Sequence, residues 1–301
     1  MKYLLPLIAL CLAAPAVAQT PAPVLTDAEA RAQVKKITAK KIILVGDSTT
    51  AVQGGWGPGF CGYHITSFVA CVNLARGGRS TKSYRAEGSW ALAQYEMKSG
   101  GFAQTYVLVQ FGHNDQPGQP ERSTDLATEF PANLRRYVAD IRAAGAKPVL
   151  VTPLTRRQFK DGQLYDDLAP WAASIRQVAA ALDVPLVDLH ARSKAAVQAM
   201  GPAKATDRAQ APPTAAVLAA AAAGTTVSVK FYEAPVPGGT PVPRPPPAPP
   251  VPDDGAPGPA GRVNPSFDYT HVGEAGADLF SAMVADDLAR AVPALRRDLI
   301  P

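Results

Sequence analysis

Short apolar segments that alternate with amphipathic ones are the feature that most constrains the fold of this chain. Each apolar segment is short enough to be a buried strand. Between them, apolar residues recur every three or four positions, as in 134–141 and 171–182, which predicts helices. Strands that alternate with helices need crossover connections. We therefore predict a three-layer α/β/α fold around a central, mostly parallel five-stranded sheet. The predicted strands are 41–45, 72–75, 106–111, 148–152 and 185–189.

The two ends of the chain are predicted to lie outside this domain. Residues 1–18 have the pattern of a secretory signal peptide: Lys2, an apolar stretch, and a small-x-small site that ends at Ala18. The apolar stretch is too short to span about 30 Å of hydrocarbon. We expect cleavage after Ala18, a secreted or periplasmic protein, and no membrane association after cleavage. Residues 19–40 are predicted to be a lead-in with a short helix, and 293–301 a tail.

The domain, residues 41–292, is predicted to carry an insertion at 201–263. Of the 30 prolines, 12 lie between positions 235 and 259. Proline fixes φ and lacks an amide proton, so such sequence favours extended backbone over a packed core. The alanine-rich run at 215–223 is compatible with a helix or with disorder, and 225–232 with an edge strand.

Four polar segments follow predicted strands or precede the last predicted helix, and together they indicate acyl transfer. Serine attacks an acyl carbon only when a base takes its proton, and histidine is the base suited to neutral pH. A carboxylate orients that histidine, and amide donors stabilise the oxyanion. Each segment alone is typical of a turn or helix cap, but their order and spacing are specific. The segments are 46–49 (GDST), 75–80 (ARGGRS), 111–115 (FGHND) and 268–271 (DYTH).

This set resembles the SGNH, or GDSL-like, hydrolases and is most similar to the rhamnogalacturonan acetylesterases. Residues 55–57 (GWG) and 151–159 (VTPLTRRQF) add to the resemblance, which covers 41–200 and 264–292. It implies a flavodoxin-like fold, no cofactor, and an acetylated plant cell-wall polysaccharide or oligosaccharide as substrate. The insertion departs from the family pattern and leaves the substrate preference open. The roles implied are Ser48 as nucleophile, His271 as base, Asp268 as its orienting carboxylate, and the Ser48 amide, Gly78 amide and Asn114 side chain as oxyanion donors.

Three further residues are predicted to bind substrate. Trp56 could stack on a sugar ring or pack in the core. Arg79, with Arg76, could reach an anionic sugar or form salt bridges. His113 precedes Asn114 and could touch the site, whereas His64 and His190 are predicted to be structural.

The cysteines and the known cofactor-binding motifs limit which disulfides, metals and cofactors are expected. Cys61 and Cys71 remain after signal cleavage and are predicted to form a disulfide rather than two buried thiols. No zinc motif occurs, so no metal is expected. A Gly-x-Gly-x-x-Gly match at 57–62 lies too far after the first strand for a dinucleotide site and contains Pro58.

Function classes can also be limited by charge. The net charge is +5 and the 30 Lys and Arg residues are scattered, so no nucleic-acid partner is expected. We predict a monomeric carbohydrate acetylesterase. The alternatives are a lipase, thioesterase or peptidoglycan-directed esterase on the same fold, or a non-catalytic carbohydrate-binding protein.

Overall fold

The structure is a computed structural model that describes residues 26–29, 38–227 and 266–300. The chain divides into two units, residues 1–37 and 38–301. In the described part of the first unit, the Thr26 hydroxyl donates a 2.7 Å hydrogen bond to the Glu29 carboxylate. The predicted signal peptide and most of the predicted lead-in lie outside the described residues.

Five parallel strands form the central sheet of the second unit, in the order β2-β1-β3-β4-β7. Strands β1 and β3 lie inside the sheet and are almost wholly buried, which explains the four consecutive apolar residues in each, 42–45 and 106–109. A separate antiparallel hairpin is formed by β5 and β6. The strands are β1 Lys40–Gly46, β2 Val69–Asn73, β3 Thr105–Gln110, β4 Lys147–Val151, β5 Phe159–Lys160, β6 Gln163–Leu164 and β7 Leu186–Val187.

Helices cover both faces of the sheet. Side chains alternate along β1, so that Ile42 and Leu44 join one apolar cluster, while Ile43 and Val45 join another on the opposite face. This is the predicted three-layer α/β/α arrangement. The helices are α1 Gly57–Tyr63, α2 Ser83–Ala86, α3 Ser89–Lys98, α4 Glu129–Ala143, α5 Ala169–Ala181, α6 Leu189–Thr206 (kinked at Gly201), α7 Ala215–Ala222 and α8 Glu274–Ala291.

The predicted strands and the two periodic helices are found with small differences in their limits. The largest difference is in the second strand, which is Val69–Asn73 rather than 72–75. This strand lies at the sheet edge and is only partly buried after Val69, so its sequence lacks the continuous apolar run of the interior strands.

The described part of the predicted insertion, residues 201–227, is packed on the domain. Ala205, Val217 and Ala221 are buried, and the alanine-rich run forms α7. Small side chains let these helices pack closely, so this part of the predicted insertion contributes to the core. Residues 225–227 are not in a strand, although Thr226 N donates to the Phe159 carbonyl. The proline cluster lies outside the described residues.

A disulfide links α1 to β2, and the C-terminal residues pack on the domain. Cys61 in α1 and Cys71 in β2 form a disulfide, which confirms the predicted pairing. The predicted C-terminal tail is part of the domain, because Leu295 and Leu299 are buried and Leu299 pairs with Ile65. Among the described helices, none has both the length and the apolar character needed to cross a bilayer.

Candidate active site

The predicted nucleophile lies in a tight turn at the carboxyl end of β1. Asp47 is buried and accepts hydrogen bonds at Oδ1 from Thr49 N at 2.9 Å and Thr49 Oγ1 at 2.8 Å. Its main-chain carbonyl accepts from the amides of Thr50 and Ala51. These bonds fix the backbone on both sides of Ser48, which remains partly exposed at the sheet edge where parallel α/β folds bind ligands.

Asp268 holds His271 by its ring and by its backbone. His271 Nδ1 donates a 2.6 Å hydrogen bond to Asp268 Oδ2, while the amides of Thr270 and His271 donate to Oδ1, both at 2.7 Å. Burial of Asp268 opposes ionisation, but the hydrogen bond and charge interaction with His271 outweigh it and lower the pKa of Asp268. The imidazole is therefore oriented by an ionised carboxylate, with Nε2 left to act as a base.

The segment that follows Ser48 contacts the segment that carries His271. Gly54 accepts a 2.9 Å hydrogen bond from the amide of Val272. A Cβ atom placed on Gly54 would lie 3.2 Å from the His271 Cβ and 3.3 Å from its Cδ2, and Gly54 has a φ of 81°. Only glycine fits this approach without strain. The structure therefore brings the predicted nucleophile and base segments to the same edge of the sheet.

The glycine pair after β2 lies beside the nucleophile. A Cβ atom placed on Gly77 would be 3.6 Å from the Cβ of Ser48, and Gly78 has a φ of 77°. Asn114 follows β3 and donates a 3.0 Å hydrogen bond from Nδ2 to the Arg79 carbonyl. An amide group has two N–H donors, so the second remains for a ligand. The arrangement is suited to an oxyanion site.

A buried carboxylate that we did not predict anchors this oxyanion segment. Asp115 accepts hydrogen bonds from the amide and hydroxyl of Thr81 and from the Thr124 hydroxyl. Burial raises the pKa of Asp115 to about 7, although these hydrogen bonds oppose the shift. Tyr137 adds a 3.0 Å hydrogen bond to the Thr81 carbonyl. Thr81 lies three residues after Gly78, so these hydrogen bonds fix the Gly78 segment to the core.

The structure corrects two of the predicted substrate-binding residues. The Trp56 side chain is 0% exposed and donates from Nε1 to Gln110 Oε1 at 2.7 Å, so it packs in the core and presents no surface to a sugar. His113 is 8% exposed and its Nδ1 lies 3.4 Å from Asp47 Oδ2. Burial alone would raise the pKa of Asp47. The interaction with His113 and the hydrogen bonds from Thr49 outweigh burial, so the pKa of Asp47 is lowered. His113 therefore lies beneath the nucleophile turn.

Arg79 lies at the rim of the site, but its guanidinium is engaged. Arg79 donates from Nε to Glu87 at 2.7 Å and from Nη1 to the Gly77 carbonyl at 2.7 Å. Arg76 also lies 3.9 Å from the Glu87 carboxylate. The salt bridges considered from the sequence are therefore present, and they hold both arginines on the oxyanion side of the site.

Two residues that sequence reasoning missed hold the histidine segment. Arg157 is buried and donates from its guanidinium to the carbonyls of Asp268, Thr270 and His271 at 3.2, 3.3 and 2.7 Å. Gln210 donates from Nε2 to Asp268 Oδ2 at 3.3 Å and from its amide to the His271 carbonyl at 3.3 Å. Arg157 belongs to the quoted motif at 151–159, which was the available signal, whereas Gln210 lies in the predicted insertion.

Metal ligation has no support in the described part of the chain. There, no three or more His, Cys, Asp or Glu side chains are grouped so that they could hold an ion. His190 is buried and bonds to Asp166 at 2.8 Å, away from the serine turn, and His64 bonds to the Ile300 carbonyl.

Comparison with known proteins places this geometry in a family. The model of the GDSL-like Lipase/Acylhydrolase family matches residues 44–210. The probable rhamnogalacturonan acetylesterase YesY of Bacillus subtilis is 35% identical over 164 residues, which cover 52% of this chain and 73% of YesY. The rhamnogalacturonan acetylesterase RhgT of Bacillus subtilis is 35% identical over 170 residues, which cover 54% of this chain and 70% of RhgT.

A solved structure agrees with the observed fold. Protein YxiM of Bacillus subtilis superimposes with a TM-score of 0.54 at 21% sequence identity. The match covers 84% of this chain and 57% of YxiM, so it supports a common fold and carries no further conclusion.

Proposed function

The chain belongs to the GDSL-like lipase/acylhydrolase family and is a carboxylic ester hydrolase, and from this premise we propose that it removes acetyl groups from a plant cell-wall polysaccharide of the rhamnogalacturonan type. The observation that carries the proposal is the Asp268–His271 pair beside the serine turn. The names of YesY and RhgT supply the substrate class.

We propose that Ser48 forms an acyl-enzyme. Its Oγ attacks the ester carbonyl carbon while His271 Nε2 takes the hydroxyl proton. The resulting oxyanion accepts hydrogen bonds from the amides of Ser48 and Gly78 and from Asn114. As the C–O bond to the sugar breaks, the imidazolium returns the proton to the leaving alkoxide. Water then attacks the acetyl-serine while His271 accepts a proton from it, and the imidazolium returns that proton to Ser48 Oγ as the acyl C–O bond breaks and acetate is released.

The electrostatic role of Asp268 follows from its contacts. An ionised carboxylate 2.6 Å from Nδ1 stabilises the imidazolium that forms in each step and keeps the correct nitrogen free. The lowered pKa of Asp268 keeps that carboxylate charged at the pH where histidine titrates.

We also propose that the protein is exported, on the basis of one feature of the sequence and one of the structure. Residues 1–18 have the signal-peptide pattern. Cys61 and Cys71 form a disulfide, and disulfides persist in oxidising compartments. Mass spectrometry of the N-terminal peptide of the protein recovered from outside the cytoplasm tests this, and the expected first residue is Gln19, either free or cyclised to pyroglutamate.

The proposed activity is tested by acetate release from acetylated rhamnogalacturonan, xylan and peptidoglycan, with p-nitrophenyl acetate and p-nitrophenyl palmitate as simple esters. We expect the highest kcat/KM on acetylated rhamnogalacturonan and no turnover by Ser48→Ala. Preference for the palmitate ester indicates a lipase instead. Binding of the polysaccharide without turnover of any ester indicates a carbohydrate-binding protein.

A further inference from the structure

Arg79 is hydrogen-bonded to both of the segments that carry the proposed oxyanion donors outside the serine turn. Its guanidinium donates from Nη1 to the Gly77 carbonyl at 2.7 Å. Its own main-chain carbonyl accepts a 3.0 Å hydrogen bond from Asn114 Nδ2. One residue therefore joins the glycine turn after β2 to the amide side chain after β3.

The side-chain hydrogen bond falls on the peptide group that contains the Gly78 amide. The Gly77 carbonyl and the Gly78 N–H belong to one planar trans peptide, in which they point in opposite directions. A donor that fixes the oxygen therefore also fixes the direction of the N–H. In the part of the chain that the structure describes, this N–H has no hydrogen-bond acceptor, so it is left for a ligand.

The turn needs such support because the backbone of a glycine is unusually free. Gly78 has a φ of 77°, a conformation that glycine adopts readily and other residues rarely do. The next peptide group is held in the same way, since Arg122 Nη1 donates to the Gly78 carbonyl at 3.1 Å. Two guanidinium groups thus hold the carbonyl oxygens on either side of the Gly78 α-carbon.

The contacts of the Arg79 guanidinium favour a role in orientation over a long-range field. Its Nε and Nη2 each lie 2.7 Å from Glu87 Oε2, so a carboxylate offsets its charge and fixes its plane. The two side chains are 38% and 26% exposed, and an ion pair at that exposure adds little to stability. A change at Arg79 should therefore alter the oxyanion site more than the fold.

We propose that Arg79 is a positioning residue of the oxyanion site, which holds the Gly77–Gly78 peptide so that the Gly78 N–H points to the developing oxyanion, while Glu87 holds its guanidinium in place. This inference rests on the proposed function. A cationic donor on the carbonyl also polarises the peptide and makes its N–H a stronger donor. The benefit is confined to the tetrahedral states, because only they carry the negative oxygen. Loss of the Arg79 side chain should therefore lower kcat and leave KM nearly unchanged.

The test uses p-nitrophenyl acetate, which is uncharged and has no sugar, so a slower hydrolysis cannot arise from a lost contact with an anionic sugar. We expect Arg79→Ala to lower kcat at least ten-fold, with KM within three-fold and Tm within a few degrees of wild type. Arg79→Lys keeps the charge but replaces three donor nitrogens with one, and should recover little activity. Lys82→Gln is the matched control, because it removes a neighbouring exposed cation whose contacts are Pro120 and Glu129.

A readout without turnover is the NMR amide resonance of Gly78. We expect it to move in Arg79→Ala and to stay in place in Lys82→Gln. An unmoved resonance in Arg79→Ala overturns the inference. So does a kcat within two-fold of wild type for Arg79→Ala or Arg79→Lys, or a loss that appears only in KM. Should Arg79→Ala fail to fold, Glu87→Gln decides: it weakens the anchor of the guanidinium and should lower kcat at least three-fold, and a wild-type kcat overturns the inference.

The proposed function has a separate readout, which is acetate release from acetylated rhamnogalacturonan by the wild-type protein. Hydrolysis of p-nitrophenyl acetate that depends on Arg79, without that release, contradicts the proposed substrate alone. Acetate release together with an Arg79→Ala protein as active as wild type contradicts the positioning role alone.

Discussion

The guanidinium of Arg157 donates a 2.7 Å hydrogen bond to the main-chain carbonyl of His271. Arg157 is buried, and its other guanidinium hydrogen bonds go to the carbonyls of Asp268 and Thr270. Burial lowers the pKa of Arg157 to about 10, while the charge of Asp268 opposes the shift, so the side chain remains a cation at neutral pH. The proposed base is therefore carried by a segment that a buried cation fixes through its backbone.

A substitution of Arg157 that keeps the positive charge is expected to lower kcat/KM while it leaves Tm nearly unchanged. Lysine supplies one ammonium group and cannot reach three carbonyls as the planar guanidinium does. We expect Arg157→Lys to lower kcat/KM on p-nitrophenyl acetate at least ten-fold, or about 1.4 kcal/mol of transition-state stabilisation. Arg157→Met should also lower Tm, because three partly buried carbonyls lose their donor. Arg136→Lys, exposed on α4, is the control. An Arg157→Lys enzyme within two-fold of wild type contradicts this role.

Substitution of the proposed triad should separate its members. We expect Ser48→Ala and His271→Ala each to lower kcat by at least about 10⁴-fold. The first variant lacks the nucleophile that forms the acyl-enzyme, and the second lacks the base that takes its proton. Asp268→Asn should cost less than His271→Ala, since it leaves the base present but poorly oriented. Steady-state rates on p-nitrophenyl acetate, with Tm as a check on folding, decide the matter. A Ser48→Ala enzyme that retains a tenth of the wild-type kcat rules out the mechanism.

The acid side of the pH profile should contain the ionisation of the proposed base. The pKa of Asp268 is lowered, so Asp268 stays charged over the range near pH 6–7 in which histidine side chains commonly titrate. Only neutral imidazole accepts the serine proton, so kcat/KM should rise with pH in this range. The profile is measured on p-nitrophenyl acetate under conditions where acylation limits the rate. A profile that is flat from about pH 5 to 8 argues against His271 as the base.

Gln210 offers a test of the electrostatics around Asp268. Gln210→Glu replaces a donor 3.3 Å from Asp268 Oδ2 with a second carboxylate. Added negative charge favours the imidazolium form of His271, so the acid side of the kcat/KM profile should move to higher pH by up to about 1 unit. Gln210→Leu removes the hydrogen bond without adding charge and is the matched control. Superimposable profiles for Gln210→Glu and wild type refute the coupling.

The part of 201–263 that can be removed should begin after residue 227. We expect a short Gly-Ser linker in place of 228–262 to leave Tm within a few degrees and p-nitrophenyl acetate hydrolysis within three-fold, because loop length changes stability by only about 0.6 kcal/mol per doubling. A longer replacement of 205–260 removes Ala205, Gln210 and Val217 and should lower both quantities. Unfolding of the shorter deletion contradicts this expectation.

The sheet could be predicted from the sequence because buried parallel strands leave a local signal. The runs at 41–45 and 106–111 are apolar except for Lys41 and Gln110, because both faces of β1 and β3 are covered. The limits of β2 could not be predicted as well, since an edge strand has one exposed side. Residues 215–223 were ambiguous, because alanine favours helices yet reveals nothing about which face is buried.

Within the candidate site, order along the chain predicted the groups proposed to react but not the residues that hold them in place. Ser48, Asn114 and the DYTH segment each follow a strand or precede a helix in a recognisable spacing. The contacts of Arg157 and Gln210 with that segment join residues far apart in sequence. Arg157 lies in the motif at 151–159, but that motif does not indicate a contact with residues 268–271, and no local pattern marks Gln210. The burial of Trp56 is equally invisible, because the same residue type suits a core and a sugar platform.

The position of the two proposed reacting residues along the chain has a consequence for biosynthesis. Ser48 follows the first strand of the sheet, whereas His271 immediately precedes its last helix. At about 5–20 residues per second, a ribosome exposes the serine for roughly ten seconds or more before it adds the base. During that time the nascent chain cannot cleave an ester by this mechanism. By the proposed mechanism, hydrolytic activity therefore requires a chain that extends beyond His271, and a chain truncated before that residue carries an inert serine.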